Sequence, residues 1–396
     1  MKKRSVGVTA IIVLISVAAG GCGNSNTTPT STTTTTLRHH VGPESWTRVV
    51  SANFGTSHNV LSAVTLINNQ AWAVGDWFNG KSDQTLVEHQ YHEGWRVVVS
   101  PNASSKHNEL DSVSGTSSRD VWAVGRYQPS VGQERTLIEH WDGSTWKIVP
   151  SPNVGSFHNE LDSVVAITPD DVWAVGHYDR SSIPADKALI EHWDGTLWNV
   201  VPAPVFLGPI SDLMSIAATP KGGPLWAVGS QTFGHRTISL MCEFVGGVWR
   251  VVPSPNHGPY DNVLRGVAAV SLRDVWAVGS ADHNGTSFAV TMHWDGLDID
   301  LERVPRILTT HYTLEAIATD SLRRVFAVGE YFSGHTIVSA ILEWRSNQWQ
   351  IDRLSRIGFT HNQLLGVASS TKSPPVAVGI IFSGSADKTL VMTCNC

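Results

Sequence analysis

The sequence repeats one short phrase seven times at a nearly constant spacing. Trp72-Ala-Val-Gly75 is the first copy, and the later copies begin at Trp122, Trp173, Trp226, Trp276, Phe326 and Val376. Successive copies start 50, 51, 53, 50, 50 and 50 residues apart. A period this regular indicates one supersecondary unit copied along the chain, so the fold depends on what one unit forms and how units pack.

Each unit has the pattern of four short strands. In the second copy, apolar or alternating stretches occupy residues 110–113, 121–125, 136–141 and 146–149. Asp142-Gly143 is suited to the tight hairpin before the fourth strand, and Pro150 and Pro152 end that strand. Seven units of this kind predict an all-β protein, a seven-bladed β-propeller with four-stranded blades.

The two ends of the repeat array predict how the ring closes. The last unit stops at Cys396 without a fourth strand, whereas Trp46-Thr-Arg-Val-Val50 matches a fourth strand that has no earlier strands before it. We therefore expect the N-terminal strand to complete the last blade. This pairing joins the first and last repeats and removes an exposed sheet edge.

The repeated tryptophans and aspartates are interpreted as architecture. An indole that leaves water buries about 150–250 Å² of surface, so tryptophan at a fixed place in every unit indicates blade packing. The fourth-strand tryptophans are Trp95, Trp146, Trp198, Trp249 and Trp349. The aspartates that precede the second strand, which we expect to form turns, are Asp120, Asp171 and Asp274.

The N-terminal segment is predicted to export and anchor the chain. Three basic residues at 2–4 precede an apolar stretch at 6–19, and small residues lead into Cys22, so residues 1–21 have the pattern of a signal peptide. Residues 22–43 are predicted to be a lipidated Cys22 followed by a disordered Thr/Ser/Asn-rich tether, and 44–396 the propeller. Ordinary secretory cleavage near Cys22 is the alternative.

Composition excludes several other classes. The chain has 28 Lys and Arg against 34 Asp and Glu, a formal charge of −6, which offers no electrostatic footprint for nucleic acid. Apart from Cys22, the cysteines are Cys242, Cys394 and Cys396, too few for a disulfide framework. A local bridge between the last two and free thiols both remain open. We expect no cofactor and no metal site, because no clustered carboxylates or cysteines complete a ligand set.

Candidate ligand-binding residues are those that vary between units on one face of the ring. In a propeller, the loops that enter the inner strands share a face with the loops between second and third strands. Three groups qualify: aromatic residues after the second strand, a variable position in the inner strand, and histidines just before the inner strand. These candidates are Trp77, Tyr127, Tyr178, Tyr331, Asp111, Asp162, Arg265, Glu315, His107, His158 and His311.

The units have the form DVWAVG, then EHWDGxxW, then VPSPN, best seen at 120–125, 139–146 and 149–153. The chain thereby resembles exported bacterial lipoproteins with tandem-repeat propellers, over residues 46–396. It is only distantly similar to WD40, Kelch and aspartate-box propellers. Asp142 and Gly143, for example, are adjacent, whereas the aspartate box separates them by one residue. The resemblance implies the fold and leaves the activity open.

We expect a non-enzymatic binding module on the outer face of a bacterial membrane or envelope, attached to the membrane through its lipid. Its channel face would meet an extracellular glycan or protein. One alternative is a carbohydrate-active enzyme, a glycoside hydrolase or polysaccharide lyase, with Asp111 and Asp162 as paired carboxylates. The other is a structural component of an envelope assembly.

Overall fold

The computed structural model describes residues 45–55, 57–92, 94–179, 186–204, 210–354, 361–382, 384 and 386–394. The predicted signal peptide, Cys22, the tether and Cys396 lie outside these ranges. Strands, turns and loops make up the described residues, which include no helix of the length and apolarity that a membrane crossing needs.

Six blades are each built from four consecutive antiparallel strands. Blades 1 to 3 comprise β2 (Asn59–Ile67), β3 (Gln70–Phe78), β4 (Asp83–Tyr91), β5 (Gly94–Val97), β6 (Asn108–Ser117), β7 (Asp120–Ser130), β8 (Gln133–Trp141), β9 (Trp146–Ile148), β10 (His158–Thr168), β11 (Asp171–Asp179), β12 (Lys187–Trp193) and β13 (Trp198–Val200). Blades 4 to 6 comprise β14 (Ile210–Ala218), β15 (Leu225–Phe233), β16 (Arg236–Val245), β17 (Val248–Val251), β18 (Asp261–Ser271), β19 (Asp274–His283), β20 (Thr286–Trp294), β21 (Ile299–Glu302), β22 (Tyr312–Thr319), β23 (Val325–Ser333), β24 (Thr336–Arg345) and β25 (Gln348–Ile351).

The seventh blade contains both ends of the described chain. It comprises β1 (Ser45–Val49), β26 (Arg353–Leu354), β27 (Asn362–Ser370), β28 (Ser373–Ile381) and β29 (Lys388–Cys394). β1 pairs antiparallel with β29, and β26 pairs parallel with the outer edge of β1. Each inner strand contacts that of the next blade, and β27 contacts β2. The predicted seven-bladed ring, closed by the N-terminal strand, is confirmed.

The hydrophobic core lies between neighbouring blades in seven separate clusters. The tryptophans of the second and fourth strands are buried in them, as the repeats predicted. Trp46 is fully buried in blade 7 and donates a 3.0 Å hydrogen bond from Nε1 to Asp352 Oδ2. The closing strand therefore carries the same core residue as an ordinary fourth strand.

The aspartates before the second strand have a different role from the predicted turns. Asp120 is the first residue of β7, and its Oδ1 accepts a 3.0 Å hydrogen bond from Trp122 Nε1. His140 Nε2 lies 2.8 Å from the same oxygen, and its ring lies tilted by 30° against the Trp122 ring, with centroids 4.2 Å apart. Blades 3 and 5 repeat this arrangement. The Asp-Trp-His set is thus a packing unit that satisfies the buried indole N–H.

The Ser-Pro-Asn segment after the fourth strand holds the loop that leads to the next blade. Asn153 Oδ1 accepts a 3.1 Å hydrogen bond from the backbone N–H of Thr136, near the start of the third strand. Blades 1 and 4 contain the same contact, and in blade 7 Asn53 makes it with Thr389. In these four blades the contact holds the loop that leads to the next inner strand.

The two described cysteines have different states. Cys394 is disulfide-bonded, which removes the free-thiol alternative for this residue. Cys242 is a free thiol on β16, fully buried between blades 3 and 4. Burial raises its pKa to about 12, so the thiolate needed for reactivity is not populated at neutral pH.

Candidate functional site at the channel mouth

Every inner strand contains a β-bulge at the same place. In β6 the register shifts between Leu110 and Ser112, so Asp111 is the extra residue. The equivalent extra residues in the other blades are Ser62, Asp162, Met214, Arg265, Glu315 and Leu365. A bulged residue is released from ladder pairing, and its side chain is re-aimed. The inner-strand position that varies in the sequence is therefore the bulge.

The glycine of the repeated phrase is required by this bulge. A Cβ at Gly125 would lie 2.2 Å from the carbonyl oxygen of Glu109, and one at Gly176 would lie 2.1 Å from that of Glu160. A Cβ added to the equivalent glycine of any other blade would lie 2.0–2.2 Å from an inner-strand carbonyl oxygen. Only glycine permits so close an approach of two strands. The frame that presents the variable residue is thus the same in all seven blades.

The small residue after the bulge joins neighbouring blades. The hydroxyl oxygen of Ser112 accepts a 3.2 Å hydrogen bond from the backbone N–H of Val164 in the next inner strand. Ser163 and Ser215 accept equivalent bonds at 3.2 Å. At Gly366 an added Cβ would lie 2.9 Å from the Cα of Ala63. The predicted tight packing near the axis is confirmed.

We define the channel mouth as the end of the ring where inner strands begin, second strands end and third strands begin. A group of ionisable residues on blades 1 to 3, called the acidic cluster below, lies there. Its members are the carboxylates Asp76, Glu109, Asp111, Glu134, Glu160 and Asp162, with the cationic residues Arg126 and His177.

Arg126 is the central cation of the acidic cluster. Its guanidinium contacts Glu109 of the same blade and Glu160 of the next blade, and Nε lies 3.9 Å from Glu134 Oε2. Burial opposes the charge of Arg126, yet the carboxylates of Glu160, Asp111 and Glu109 raise its pKa overall. Arg126 therefore stays charged and bridges blades 2 and 3.

The carboxylates outnumber the cations, and their pKa values reflect this. Burial, with the nearby charges of Glu109 and Asp83, raises the pKa of Asp76 to about 7. Burial and the charge of Glu160 raise the pKa of Asp111 well above its usual range. Asp111 Oδ2 has no hydrogen-bond partner among the described residues. The mouth thus holds more carboxyl groups than the described cations balance, and Asp111 stays protonated at neutral pH in response.

His177 is the second cation of the cluster. Its Nδ1 lies 3.2 Å from Asp162 Oδ2, and its Nε2 lies 3.7 Å from Glu160 Oε2. Burial opposes its protonation, but the hydrogen bond and charge of Asp162 raise the pKa of His177 to about 9. The imidazole is therefore cationic at neutral pH.

The candidate histidines before the inner strands connect blades. His107 Nδ1 lies 2.6 Å from Asp83 Oδ2 of the preceding blade, and His158 Nδ1 lies 2.8 Å from Glu134 Oε2. His311 Nε2 instead lies 3.3 Å from Glu330 Oε1 in its own blade. The asparagines that follow most of these histidines bond their own turns, as Asn108 does with Ser104. The histidines line the mouth while they hold neighbouring loops together.

The candidate aromatic residues lie partly buried between blades. Trp77, Tyr127, Tyr178 and Tyr331 each pack against an interblade core cluster. The Trp77 ring also contacts Phe54 edge-on, with centroids 4.3 Å apart. Tyr127 additionally lines a cavity of about 290 Å³ at the mouth, with Asp83, His107, Glu109 and Arg126 among its neighbours. Of the four, Tyr127 lies beside the acidic cluster.

The last two candidates form a separate pair. Arg265 Nε lies 3.4 Å from Glu315 Oε2, and Arg265 Nη1 donates a 2.8 Å hydrogen bond to Ser280 Oγ. Arg265 thus bridges blades 5 and 6 as Arg126 bridges blades 2 and 3. The structure brings Asp111 and Asp162 into one cluster and places Arg265 and Glu315 in another.

A larger cavity elsewhere on the ring has a different character. It measures about 850 Å³, lies between blades 5 and 6, and is bordered by Phe288, Val304, Ile307, Leu308 and Tyr312. In blade 5 the sequence Val304-Pro305-Arg306 stands where blades 1, 2 and 4 have Ser-Pro-Asn, and the loop leaves a mainly apolar groove. The ionisable residues of the acidic cluster do not line it.

Sequence reasoning missed the residues that hold the acidic cluster together, namely Asp76, Glu109, Arg126, Glu160 and His177. A signal was present, because the residue directly after the repeated glycine differs in every blade of the acidic half. That column reads Asp76, Arg126, His177, Ser230, Ser280, Glu330 and Ile380. Each of these residues pairs with the inner-strand residue two places before the bulge.

Comparison with known proteins identifies the fold. No family model and no curated protein matches the sequence. Among solved structures, one described as YCF48 bound to D1 peptide has a TM-score of 0.54 at 14% identity, covering 88% of this chain and 96% of that one. The β-propeller domain of the Trilobed protease from Pyrococcus furiosus, described as having an open velcro topology, has a TM-score of 0.52 at 9% identity, covering 86% and 94%. At these identities the likeness establishes a β-propeller scaffold.

Proposed function

We propose that this protein is a binding module whose channel mouth receives a basic segment of a protein partner. The acidic cluster is the observation that carries this proposal. Six carboxyl groups surround Arg126 and His177, and those that are ionised lie where water screens their charges poorly. A lysine or arginine side chain that enters the mouth compensates this charge.

The raised pKa values support a cationic ligand. Glu109, whose pKa is raised by burial, lines the cavity beside Tyr127, and Asp76, with a pKa of about 7, interacts with Glu109 and Asp83 there. A cation from a ligand favours the ionised carboxylates and forms charge-assisted hydrogen bonds with them. Complementary charge also accelerates association with a basic partner.

Two further observations favour a protein over a glycan. The candidate aromatic side chains pack largely between blades, which leaves little open ring surface for a sugar to stack on. A propeller of the same fold has been captured with a peptide, which supports the scaffold as a peptide receptor at the level of fold.

The proposal includes export and attachment to the outer face of a bacterial membrane through Cys22. The basic, apolar and small-residue pattern before Cys22 supports it. In a bacterial host, intact-mass measurement should find a mature chain that starts at acylated Cys22. Cys22→Ser should abolish the acylation and release the protein from membranes. A wild-type chain that retains residues 1–21 contradicts the attachment.

The binding test uses fluorescent peptides in buffer with EDTA. A Lys/Arg-rich peptide should bind the wild type more tightly than a neutral peptide of equal length, and salt should weaken it. Glu109→Gln should reduce the affinity about tenfold, since a hydrogen bond to a charged group contributes about 1.5–3 kcal/mol. Glu315→Gln, which changes the blade 6 carboxylate, is the matched control and should bind normally. Equal affinity of both peptides for the wild type refutes the proposal.

A carbohydrate-active enzyme is the second candidate, because the bulge carboxylates Asp111 and Asp162 interact in neighbouring blades. Burial raises the pKa of both, which suits one of them to act as a general acid. Release of reducing ends or unsaturated sugars from a polysaccharide, lost in Asp111→Asn and in Asp162→Asn, supports this candidate. No turnover across a polysaccharide panel removes it.

A further inference from the structure

Blade 3 places three ligand-type side chains on one side of its first two strands. His158 and Glu160 are two residues apart on β10, so they point to the same side, and His177 on β11 pairs directly with Glu160. One ligand atom from each residue lies within 4.8 Å of the other two. The His-x-Glu spacing and the strand register alone account for this convergence.

A carboxylate outside the trio orients one of the two imidazoles. Asp162 Oδ2 lies 3.2 Å from His177 Nδ1 in a hydrogen bond, whereas Glu134 Oε2 approaches His158 Nδ1 to 2.8 Å without hydrogen-bond geometry. In protein metal sites, a ligating histidine usually presents its other ring nitrogen to a carboxylate, which fixes the tautomer and the ring orientation. His177 therefore has the supporting hydrogen bond of a metal ligand, and His158 has a carboxylate close by.

The separation of His177 and Glu160 fits two ligands of one ion. The 3.7 Å between His177 Nε2 and Glu160 Oε2 is too long for a hydrogen bond. Ligand atoms of a tetrahedral site with bonds of 2.0–2.2 Å are separated by about 3.4 Å. A small side-chain adjustment brings the pair to that spacing.

A second group, Asp83, His107 and Glu109, also has ligand-type atoms within 4.8 Å of one another. It shares the His-x-Glu spacing, but an arginine, Arg126, stands opposite Glu109 where blade 3 has a second histidine; Arg126 contacts Glu160 too. Blade 1 has His58 with Val60 in the glutamate position. Among the described inner strands, only β10 combines His-x-Glu with a histidine across the ladder.

We propose that His158, Glu160 and His177 bind one divalent transition-metal ion of the Zn²⁺ class at the channel mouth. Two imidazoles and one carboxylate suit such an ion better than Mg²⁺ or Ca²⁺, which prefer oxygen ligands. His158 is partly exposed, with 43% of its side-chain surface accessible, so a fourth ligand enters from the mouth. The site shares Glu160 and His177 with the acidic cluster, so an ion bound there displaces the proton of His177. The EDTA in the peptide assay keeps the two tests separate.

The test measures Zn²⁺ binding by calorimetry and Co²⁺ binding by visible absorption on the full chain after EDTA treatment and dialysis. The wild type should bind one ion with a tetrahedral or five-coordinate Co²⁺ spectrum. His177→Gln and His158→Gln should each weaken binding about 100-fold or abolish it. His58→Gln, which removes a histidine from the equivalent position of blade 1, should bind like the wild type.

Asp162→Asn tests the positioning role. The stoichiometry should remain one ion while the affinity falls about 10- to 100-fold, as expected for loss of a carboxylate that orients a ligand. Circular dichroism and thermal unfolding identify any variant that fails to fold. No binding by the folded wild type, or unchanged binding in folded His158→Gln and His177→Gln, overturns the proposal. Loss of binding in His58→Gln alone also overturns it.

Discussion

Blades 1 to 3 and blades 5 to 7 share one backbone frame but differ in what the frame holds. Both halves have the bulge, the close glycine and the buried second-strand aromatic or aliphatic residue. In blades 1 to 3 the mouth carries the acidic cluster, whereas blades 5 to 7 offer residues such as Val263, Thr313 and Gln363 at the positions of Glu109 and Glu160. Repetition fixes the scaffold, and the variable positions separate one half chemically from the other.

The same contrast occurs deeper in the blades. Glu88, Glu139 and Glu191 are fully buried on the third strands of blades 1 to 3, where the backbone of Ala52 approaches Glu88 and the Ser151 side chain approaches Glu191. The equivalent positions of blades 4 to 7 hold Cys242, Met292, Leu342 and Met392. Three protonated acids therefore occupy places that elsewhere are apolar.

The largest expected effect comes from removing one of these acids. Burial raises the pKa of Glu191 to about 8, above its usual 4.5. The protonated Glu191 carboxyl therefore makes its full contribution to stability below about pH 4.5, and this contribution is lost as the pH rises through 8. At about 1.4 kcal/mol per pKa unit, Glu191→Met should raise the free energy of unfolding at pH 8 by on the order of 4 kcal/mol.

Urea unfolding at pH 5 and pH 8 measures this effect. The variant should lose less stability than the wild type between the two pH values. Met292→Glu, the reverse change in blade 5, should introduce the pH dependence. If Glu191→Met loses as much stability as the wild type between pH 5 and pH 8, this carboxyl does not cause the pH dependence.

A second prediction concerns the repeated glycine that allows the first two strands of a blade to approach closely in both halves. Gly125→Ala and Gly279→Ala place a methyl group 2.2 and 2.0 Å from an inner-strand carbonyl, and each should cost about 3 kcal/mol of stability. Only Gly125→Ala should also weaken the binding of a basic peptide, because it displaces Glu109. Denaturant unfolding and peptide titration measure both effects. Equal losses of peptide affinity indicate a global change rather than a local one.

A third prediction compares the two bridging arginines. Arg126→Met leaves Glu109 and Glu160 without their shared partner and should cost about 2 kcal/mol. Arg265→Met removes one 3.4 Å ion pair and one hydrogen bond and should cost about 1 kcal/mol. Basic-peptide affinity should rise in Arg126→Met because a competing cation is gone. A lower affinity in that variant shows that Arg126 itself contacts the ligand.

The smallest effect concerns blade 1, which lacks the Asp-Trp-His set. Gln70 stands where blade 2 has Asp120, and both ring nitrogens of His89 are buried without a partner among the described residues. Burial lowers the pKa of His89 to about 4. Gln70→Asp should raise that pKa and stabilise the blade by about 1 kcal/mol.

NMR titration of His89 and thermal unfolding measure the result of Gln70→Asp. Asp120→Gln in blade 2 is the mirror experiment and should lower stability by a similar amount. An unchanged His89 pKa in Gln70→Asp shows that the new carboxylate does not reach the ring.

Most of the fold was predictable because each unit repeats its turn and core residues. The unpaired fourth-strand phrase around Trp46 was enough to predict the closure of blade 7. The bulge was not predictable, since an extra residue in every inner strand leaves no irregularity in the period. Only the strand register shows that Asp111 and Asp162 are bulged.

The candidate site was predicted in part. Asp111, Asp162, His107 and His158 do lie at or beside the acidic cluster, but the charge balance there depends on Arg126 and the residues it contacts. These contacts cross from one blade to the next, and residues about 34 positions apart, such as Arg126 and Glu160, carry no local pattern. The aromatic residues were recognised by type, yet how much of each ring packs between blades is a tertiary property.

The direction of the closing strand has a practical consequence. Ser45 and Trp46 pair at the end of the blade where β29 finishes at Cys394, whereas inner strands begin at the opposite end. Both termini of the described ring therefore emerge on the side away from the cavity beside Tyr127. A surface, resin or fusion partner joined at either terminus leaves that cavity free to meet molecules in solution.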